Sequence, residues 1–246
     1  MNKEHNKTIR LDFLEWGLSL DLKGGRIVSL YHGDRKILGT YNRIDGKAGN
    51  THVCLPNFAD EGKALGLPFH GPPRTLQWVV KERRRYSLVI ECDIPKTKLY
   101  PAKIHVEQSF RLQNNFVHEI KATNCGNSPV PLNIGCHYYW DTPNNWKEVL
   151  INGKDVSYKI QTNGFQEFRT QNVIQFPGVS YSITQTGFSD VVLWTGFKIE
   201  NDTKIFDTAY CCIEPVRGRG VFFGSPSSLL LPKDSVSTSF QIDETV

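Results

Sequence analysis

Apolar and polar residues alternate in short runs along most of this chain. Leu18-Ser-Leu-Asp-Leu22 and Arg26-Ile-Val-Ser-Leu-Tyr31 each set apolar side chains on one face of an extended segment, with Gly24-Gly25 between them and Gly33-Asp34 after them. Period-two alternation punctuated by such turn residues predicts a β-meander. The pattern continues through residues 76–94 and 103–123, where Ile104 to Leu112 turns at Asn114-Asn115 into Phe116 to Ala122. This reads as a hairpin. No stretch of about a dozen residues holds a 3.6-residue period, so helices are predicted to be few and short.

The stretch from Leu38 to Arg74 breaks the alternation, being rich in Gly, Pro, Asn and Asp. A long loop inside a folded domain is uncommon and tends to carry function. Beyond Asn124 the strands resume, interrupted at 127–131, 141–145 and 218–220, and Ser228 to Ile242 reads as two strands around Pro232-Lys233-Asp234. No linker or internal repeat divides the chain. The expectation is an all-β single domain over residues 1–246, built as a sandwich of two packed large antiparallel sheets.

Composition narrows the function. The 246 residues are 39% hydrophobic and 22% charged with a formal charge of +4, enough for a sizeable core and too weakly basic to argue for nucleic acid. The basic run Lys81 to Arg85 lies between strand-like segments and reads as a solvated hairpin. No apolar run approaches the ~20 residues needed to span a bilayer, and Met1 to Arg10 lacks the apolar core of a signal peptide. A cytoplasmic protein without a membrane partner is expected. Its six cysteines form no Cys-x-x-Cys pair, so most are read as small buried hydrophobes. The seven histidines give neither His-Glu-x-x-His nor His-x-His, so no metal is expected.

Two segments place one titratable side chain each in apolar surroundings. In Gly135-Cys-His-Tyr-Tyr-Trp140, His137 could hold a proton near neutrality if a carboxylate compensates for lost solvation, and it could equally be a hydrogen-bonded core histidine. In Cys212-Ile-Glu-Pro215, burial would raise the pKa of Glu214 toward that of a general base; a strand-end glutamate paired with Arg217 or Arg219 is the alternative. The proline after it is read as ending the strand. A third segment, Leu67-Pro-Phe-His-Gly-Pro-Pro-Arg74, presents His70 and Arg74 from a turn stiffened by two prolines. Arg74, Arg217 and Arg219 could together bind an anion.

In this order the segments resemble the aldose 1-epimerase (galactose mutarotase-like) family, especially its short bacterial and hexose-6-phosphate mutarotase-like branches. Leu55-Pro-Asn-Phe58 followed by Leu67 to Arg74 is similar to the family's early Pro-Asn/Gln-Phe-Gly and Leu-Pro-x-His-Gly-x-x-Arg. His137 to Trp140 is similar to its central His-x-Tyr-Phe, Cys212 to Pro215 to its late Cys-Val/Leu-Glu-Pro, and Leu229 to Asp234 to its closing Leu-x-Pro-Gly-Glu hairpin. The resemblance implies a β-supersandwich that interconverts sugar anomers without a cofactor. By that likeness His137 protonates the ring oxygen of a hexose or hexose phosphate, Glu214 deprotonates the anomeric hydroxyl, and His70, Arg74 and Asn57 bind the sugar. Three departures stand out. Asn172 occupies the region of a substrate-binding aspartate, Ala59 replaces the glycine after Phe58, and the chain is short between Trp146 and Tyr181. They motivate a second reading, a non-catalytic carbohydrate-binding protein of the same fold.

Overall fold

The alternating segments pair into two large antiparallel sheets, and a computed structural model describes residues 8–142, 146–218 and 229–245. A ten-stranded sheet begins with the meander Thr8–Phe13, Trp16–Asp21, Arg26–His32 and Arg35–Leu38, then passes to Tyr139–Asp141 and Tyr210–Val216. Gly135–His137 and His52–Cys54 extend it, while Asp190–Trp194 flanks the other edge of Tyr210–Val216 and carries Gly164–Glu167 beyond. The nine-stranded sheet runs Lys154–Asp155, Leu150–Ile151, Gln171–Phe176, Val179–Thr186, Ser235–Thr245, Phe116–Asn124, Ile104–Leu112, Ser87–Ile94, Val79–Arg83.

Each sheet turns one set of alternating side chains toward the other. Leu18, Leu20, Ile27 and Leu30 from the first meet Ile90, Val106, Phe110, Ile120 and Phe240 from the second in one apolar cluster. Fully burying each such side chain is worth about 1.5–3 kcal/mol, which is what holds the layers together.

The predicted hairpin is present, with pairs from Ile104↔Asn124 to Leu112↔Phe116. In the meander, Gly24 and Gly25 turn with φ of 87° and 56°. A Cβ on Gly25 would lie 2.5 Å from the Gln108 amide nitrogen and 2.6 Å from the Trp78 ring, so this close approach of the sheets requires glycine. The basic run forms the exposed edge of a hairpin, where Lys81 pairs with Glu107 and Arg84 with Glu82, as expected for a solvated strand. Helical structure among the described residues is limited to Ser157–Gln161 and three short 3-10 turns. No helix of the described residues is long and apolar enough to cross a membrane.

Three expectations need correction. Leu38 to Arg74 is not a bare loop: Thr40–Asn42 pairs with Ala48–Asn50, and His52–Cys54 joins the ten-stranded sheet. The strand holding Glu214 continues through Pro215 to Val216. Proline is tolerated because the ladder to the 135–141 segment pairs at Gly135↔Val216 and again at Tyr139↔Cys212 but not between, so the missing N–H falls in a gap. The two closing strands do not form a hairpin with each other. Leu229–Leu230 pairs with Val130–Pro131, whereas Ser235–Thr245 inserts between Phe116–Asn124 and Val179–Thr186.

Candidate active site

Four neighbouring segments of the ten-stranded sheet are covered on both faces, and their alternation sorts the side chains. Cys136, Tyr138 and Trp140 face the inter-sheet core, as do Cys211 and Ile213, Val191 and Leu193, and Val53. His137 and Tyr139, Glu214, Val192 and Trp194, and His52 turn to the opposite face. There they line a cavity of about 760 Å3, roofed by Phe58, Ala59, Phe69 and His70 from the loop between His52–Cys54 and Pro72–Arg74. Period two thus delivers residues from distant parts of the sequence to one groove.

His137 and Glu214 meet in this groove, with Nε2 3.4 Å from Oε1. Both side chains are almost wholly buried, 9% and 3% exposed, so water contributes little to their charged forms. Burial pushes the Glu214 carboxyl well above the usual carboxylate range. The imidazole of His137 is driven well below its usual range, first by burial and then by the neighbouring His52 and His70. Tyr139 stacks on the His137 ring at 4.7 Å and 11°, and Trp194 meets it edge-on at 5.8 Å.

Two further imidazoles complete the cluster, their ring centroids 5.1 Å (His52) and 5.3 Å (His70) from that of His137. Their hydrogen bonds fix their tautomers. His52 Nδ1 lies 2.8 Å from the Asn50 carbonyl oxygen, which can only accept, so Nδ1 carries the proton and Nε2 is a bare lone pair. That Nε2 is buried and has no partner, and neither does His137 Nδ1. His70 is the complement: the Ala59 N–H donates to its Nδ1 at 3.2 Å, which leaves the proton on Nε2. Burial lowers the pKa of His52 to about 3 and that of His70 to about 2. The groove is therefore lined by one imidazole with its proton on Nε2 and one whose Nε2 is bare, both uncharged.

The roof explains the motif residues. His70 has φ of 61°, and Gly71, with φ of 78°, passes so close to Leu55 that a Cβ would sit 1.8 Å from the Leu55 carbonyl oxygen. No other residue fits there. Ala59 adopts φ of 49°, so it keeps the left-handed backbone that glycine takes freely. Arg74 lines the cavity, and its carbonyl accepts from Arg26 Nη2 at 2.9 Å. Asn57 is buried behind the wall, where its amide donates to the Ala59 and Pro68 carbonyls at 3.0 and 3.2 Å. It braces the roof and is absent from the lining.

Asn172 lies in the other sheet, away from this groove. Its Oδ1 accepts from Asn152 Nδ2 at 3.0 Å and from the Arg169 N–H at 3.2 Å, and its Nδ2 donates to the Arg169 carbonyl. Those bonds pin a turn. Arg217 reaches toward the Leu132 carbonyl at 3.4 Å, and Arg219 lies outside the described residues.

Several lining residues escaped the sequence reading. Arg43 packs over the Trp194 ring at 4.7 Å and pairs with Asp45 at 2.7 Å, and Lys47, Arg26 and Arg74 also line the cavity. His52 could have been found from the alternation of His52-Val-Cys-Leu55, which puts it on the face of Cys54. Arg43 carries no such local signal, because Trp194 is far away in sequence. Among the described residues two buried trios could hold a metal ion, His52–Cys54–His70 and His137–Cys212–Glu214, each with ligand atoms within 4.8 Å of one another.

Comparison with known proteins agrees with this architecture. The sequence model of the family described as aldose 1-epimerase matches residues 27–215. The structure is similar to that of a galactose mutarotase related enzyme from Lactobacillus acidophilus (12% identity, 98% of each chain covered, TM-score 0.77). It is similar also to the Slr1438 protein from Synechocystis sp. PCC 6803 (18% identity, covering 98% of this chain and 96% of that one, TM-score 0.75). A galactose mutarotase-like protein from Clostridium acetobutylicum aligns at 15% identity over 100% of this chain and 97% of its own, with a TM-score of 0.71. At these identities the structural likeness speaks for the fold alone. No curated protein matches the sequence.

Proposed function

The chain belongs to the aldose 1-epimerase family, and from that premise we propose that it is a cofactor-independent mutarotase acting on a pyranose, with His137 as acid and Glu214 as base. The observation that carries the proposal is the 3.4 Å approach of these two buried groups inside one cavity. A cyclic hemiacetal opens when its anomeric hydroxyl loses a proton while its ring oxygen gains one. Both oxygens are bonded to C1, so the acid and the base must stand side by side.

In the forward direction the Glu214 carboxylate takes the hydroxyl proton and imidazolium His137 gives its own to the ring oxygen. The C1–ring-oxygen bond breaks as the carbonyl forms, the C1–C2 bond rotates, and the reverse transfers close the ring with the other configuration. After opening, Glu214 holds the proton and His137 is neutral, so a cycle visits both arrangements. Burial favours the neutral one, and attraction between opposite charges at this separation offsets that preference. Matched acid and base of this kind contribute roughly a hundredfold to ten-thousandfold in rate. His70, donating from Nε2, and His52, accepting at Nε2, are suited to read sugar hydroxyls.

Four cationic side chains line the cavity, Arg43 and Lys47 paired with Asp45 and Arg26 and Arg74 beside each other, and they favour a sugar that bears an anion, such as a hexose phosphate, over a neutral hexose. Exchange NMR on free and 6-phosphorylated hexoses tests both parts. Anomer interconversion should exceed the spontaneous rate, most with the phosphorylated sugars, and Glu214→Gln should abolish the excess. Saturable sugar binding without any excess exchange would instead establish the non-catalytic binding protein, and neither binding nor exchange would reject both.

A further inference from the structure

The trio His52, Cys54 and His70 has a feature that sugar recognition does not use. Cys54 does not line the cavity; it lies behind the two imidazoles, its Sγ 3.1 Å from His70 Nδ1. His52 and Cys54 share a face two residues apart on one strand, and the roof loop lowers His70 onto them. One ligand atom from each falls within 4.8 Å of the others, all three residues are buried, and Nε2 of His52 has no partner. We propose that these residues form a binding site for a borderline-soft divalent cation of the zinc class, whose occupation takes His52 out of sugar recognition.

Two imidazole nitrogens and a thiolate are the donor set such ions prefer, whereas magnesium and calcium require oxygens. The Asn50 carbonyl fixes His52 as ligands are commonly fixed, by engaging its other nitrogen. The cation takes the place of the Cys54 thiol proton, which leaves to solvent. Tetrahedral bonds of ordinary length separate a sulfur and a nitrogen ligand by about 3.5 Å, so the Sγ–Nδ1 gap opens by a few tenths of an ångström and the Ala59 N–H moves off His70. The fourth position faces the cavity and is left for water. Occupation takes the bare Nε2 of His52 away from the sugar, while His70, bound through Nδ1, keeps its Nε2–H. Neither other cluster offers as much: His137–Cys212–Glu214 is the reacting pair itself, and Glu91–His105–Glu107 is partly exposed and already paired with Lys81.

Cobalt(II) titration of the full-length, thiol-reduced protein is the test. The expected result is a near-ultraviolet thiolate-to-cobalt charge-transfer band with visible bands of a tetrahedral ion, all displaced by zinc. Cys54→Ser should remove the charge-transfer band, His52→Gln should weaken cobalt binding about tenfold or more, and Cys125→Ser, at the exposed cysteine, should change nothing. His52→Gln serves even if Cys54→Ser folds poorly, because it breaks no partnered Nε2. No thiolate band with cobalt in large excess, or a band that survives Cys54→Ser, overturns the proposal. The inhibition part rests on the mutarotase reading and predicts that zinc slows anomer exchange in parallel with cobalt displacement. The spectra need no turnover, so failure of either proposal is seen separately.

Discussion

Two buried histidines, His118 between the sheets and His52 in the groove, are 2% and 7% exposed and differ in how their ring nitrogens are paired. His118 stacks on Phe110 at 4.6 Å and 14°. Gln108 donates from its amide nitrogen to the Gly25 carbonyl at 3.1 Å and turns Oε1 to His118 Nε2 at 3.0 Å; the remaining nitrogen, Nδ1, accepts from the Tyr138 hydroxyl at 2.8 Å. Every polar atom of that chain is satisfied. His52 leaves one nitrogen bare at the wall of a cavity. An unmade hydrogen bond in a buried place costs about 1–3 kcal/mol, so an unpaired nitrogen on a cavity-lining residue is one that a ligand can complete. Burial does not separate these two histidines; hydrogen-bond completeness does, although scaffold atoms such as Trp140 Nε1 and Thr238 Oγ1 also lack partners among the described residues.

The largest effect that would sharpen this contrast is at Glu214. Glu214→Gln keeps the shape and removes the proton acceptor, so anomer exchange should fall about a thousandfold. Folding stability should hold or rise, since a buried ionisable group whose ion-pair partner among the described residues is His137 becomes a neutral amide. Exchange NMR and urea unfolding on one preparation check both. A loss of several kcal/mol with exchange intact would mean that Glu214 belongs to the scaffold.

Next in size is the direct test of the two histidines. His118→Leu orphans the Tyr138 hydroxyl and Gln108 Oε1 and should cost about 2–3 kcal/mol, with exchange per folded molecule little changed. His52→Leu removes one unpaired nitrogen and the single Nδ1–H bond to the half-buried Asn50 carbonyl, and should cost about 1 kcal/mol, while sugar binding weakens. The reverse order of stability losses would break the comparison.

Much of this was legible in the chain because the relevant groups stand out against an apolar background. His137 and Glu214 each interrupt a run of core residues, and two prolines mark the His70 to Arg74 turn. What hid the rest is physical. Strands covered on both faces read as unbroken apolar runs, so the alternation that sends Tyr139, Trp194 and His52 to the groove is muted. Arg43 owes its place to Trp194 and the Ile44 N–H bond to Asp207, contacts that no local pattern announces. Pro215 looked like a strand end because a proline costs a ladder bond only where a partner carbonyl waits for it. Asn172 was assigned by its position along the chain, and chain position does not fix which sheet a strand joins.

Acid sensitivity is a smaller effect, and one that the two histidines share, since burial lowers both to about 3. Burial lowers the pKa of His118 to about 3 in the folded protein, against about 6.5 when unfolded. Between those values the unfolded chain binds the proton and the native state does not. The penalty is therefore absent above pH 6.5, grows as pH falls, and levels off below about 3. Its slope is about 1.4 kcal/mol per pH unit, or about 2 kcal/mol at pH 5. The stability gap between wild type and His118→Leu should narrow by that amount from pH 7 to pH 5 in urea titrations. A gap that stays constant would mean His118 protonates in place.

The smallest effect concerns Asn172, where the family resemblance and the geometry point in different directions. If the residue served the sugar, Asn172→Ala would raise KM and leave folding alone. Its amide instead holds Arg169 and Asn152 at a turn of the nine-stranded sheet, while the groove opens on the outer face of the other sheet. Each of those bonds is worth about 1 kcal/mol net, and the partners that lose them can turn to water near the surface. Asn172→Ala should therefore lower stability by about 1–2 kcal/mol with KM and kcat unchanged for every sugar that the wild type turns over. A rise in KM without a stability loss would put Asn172 in the ligand path.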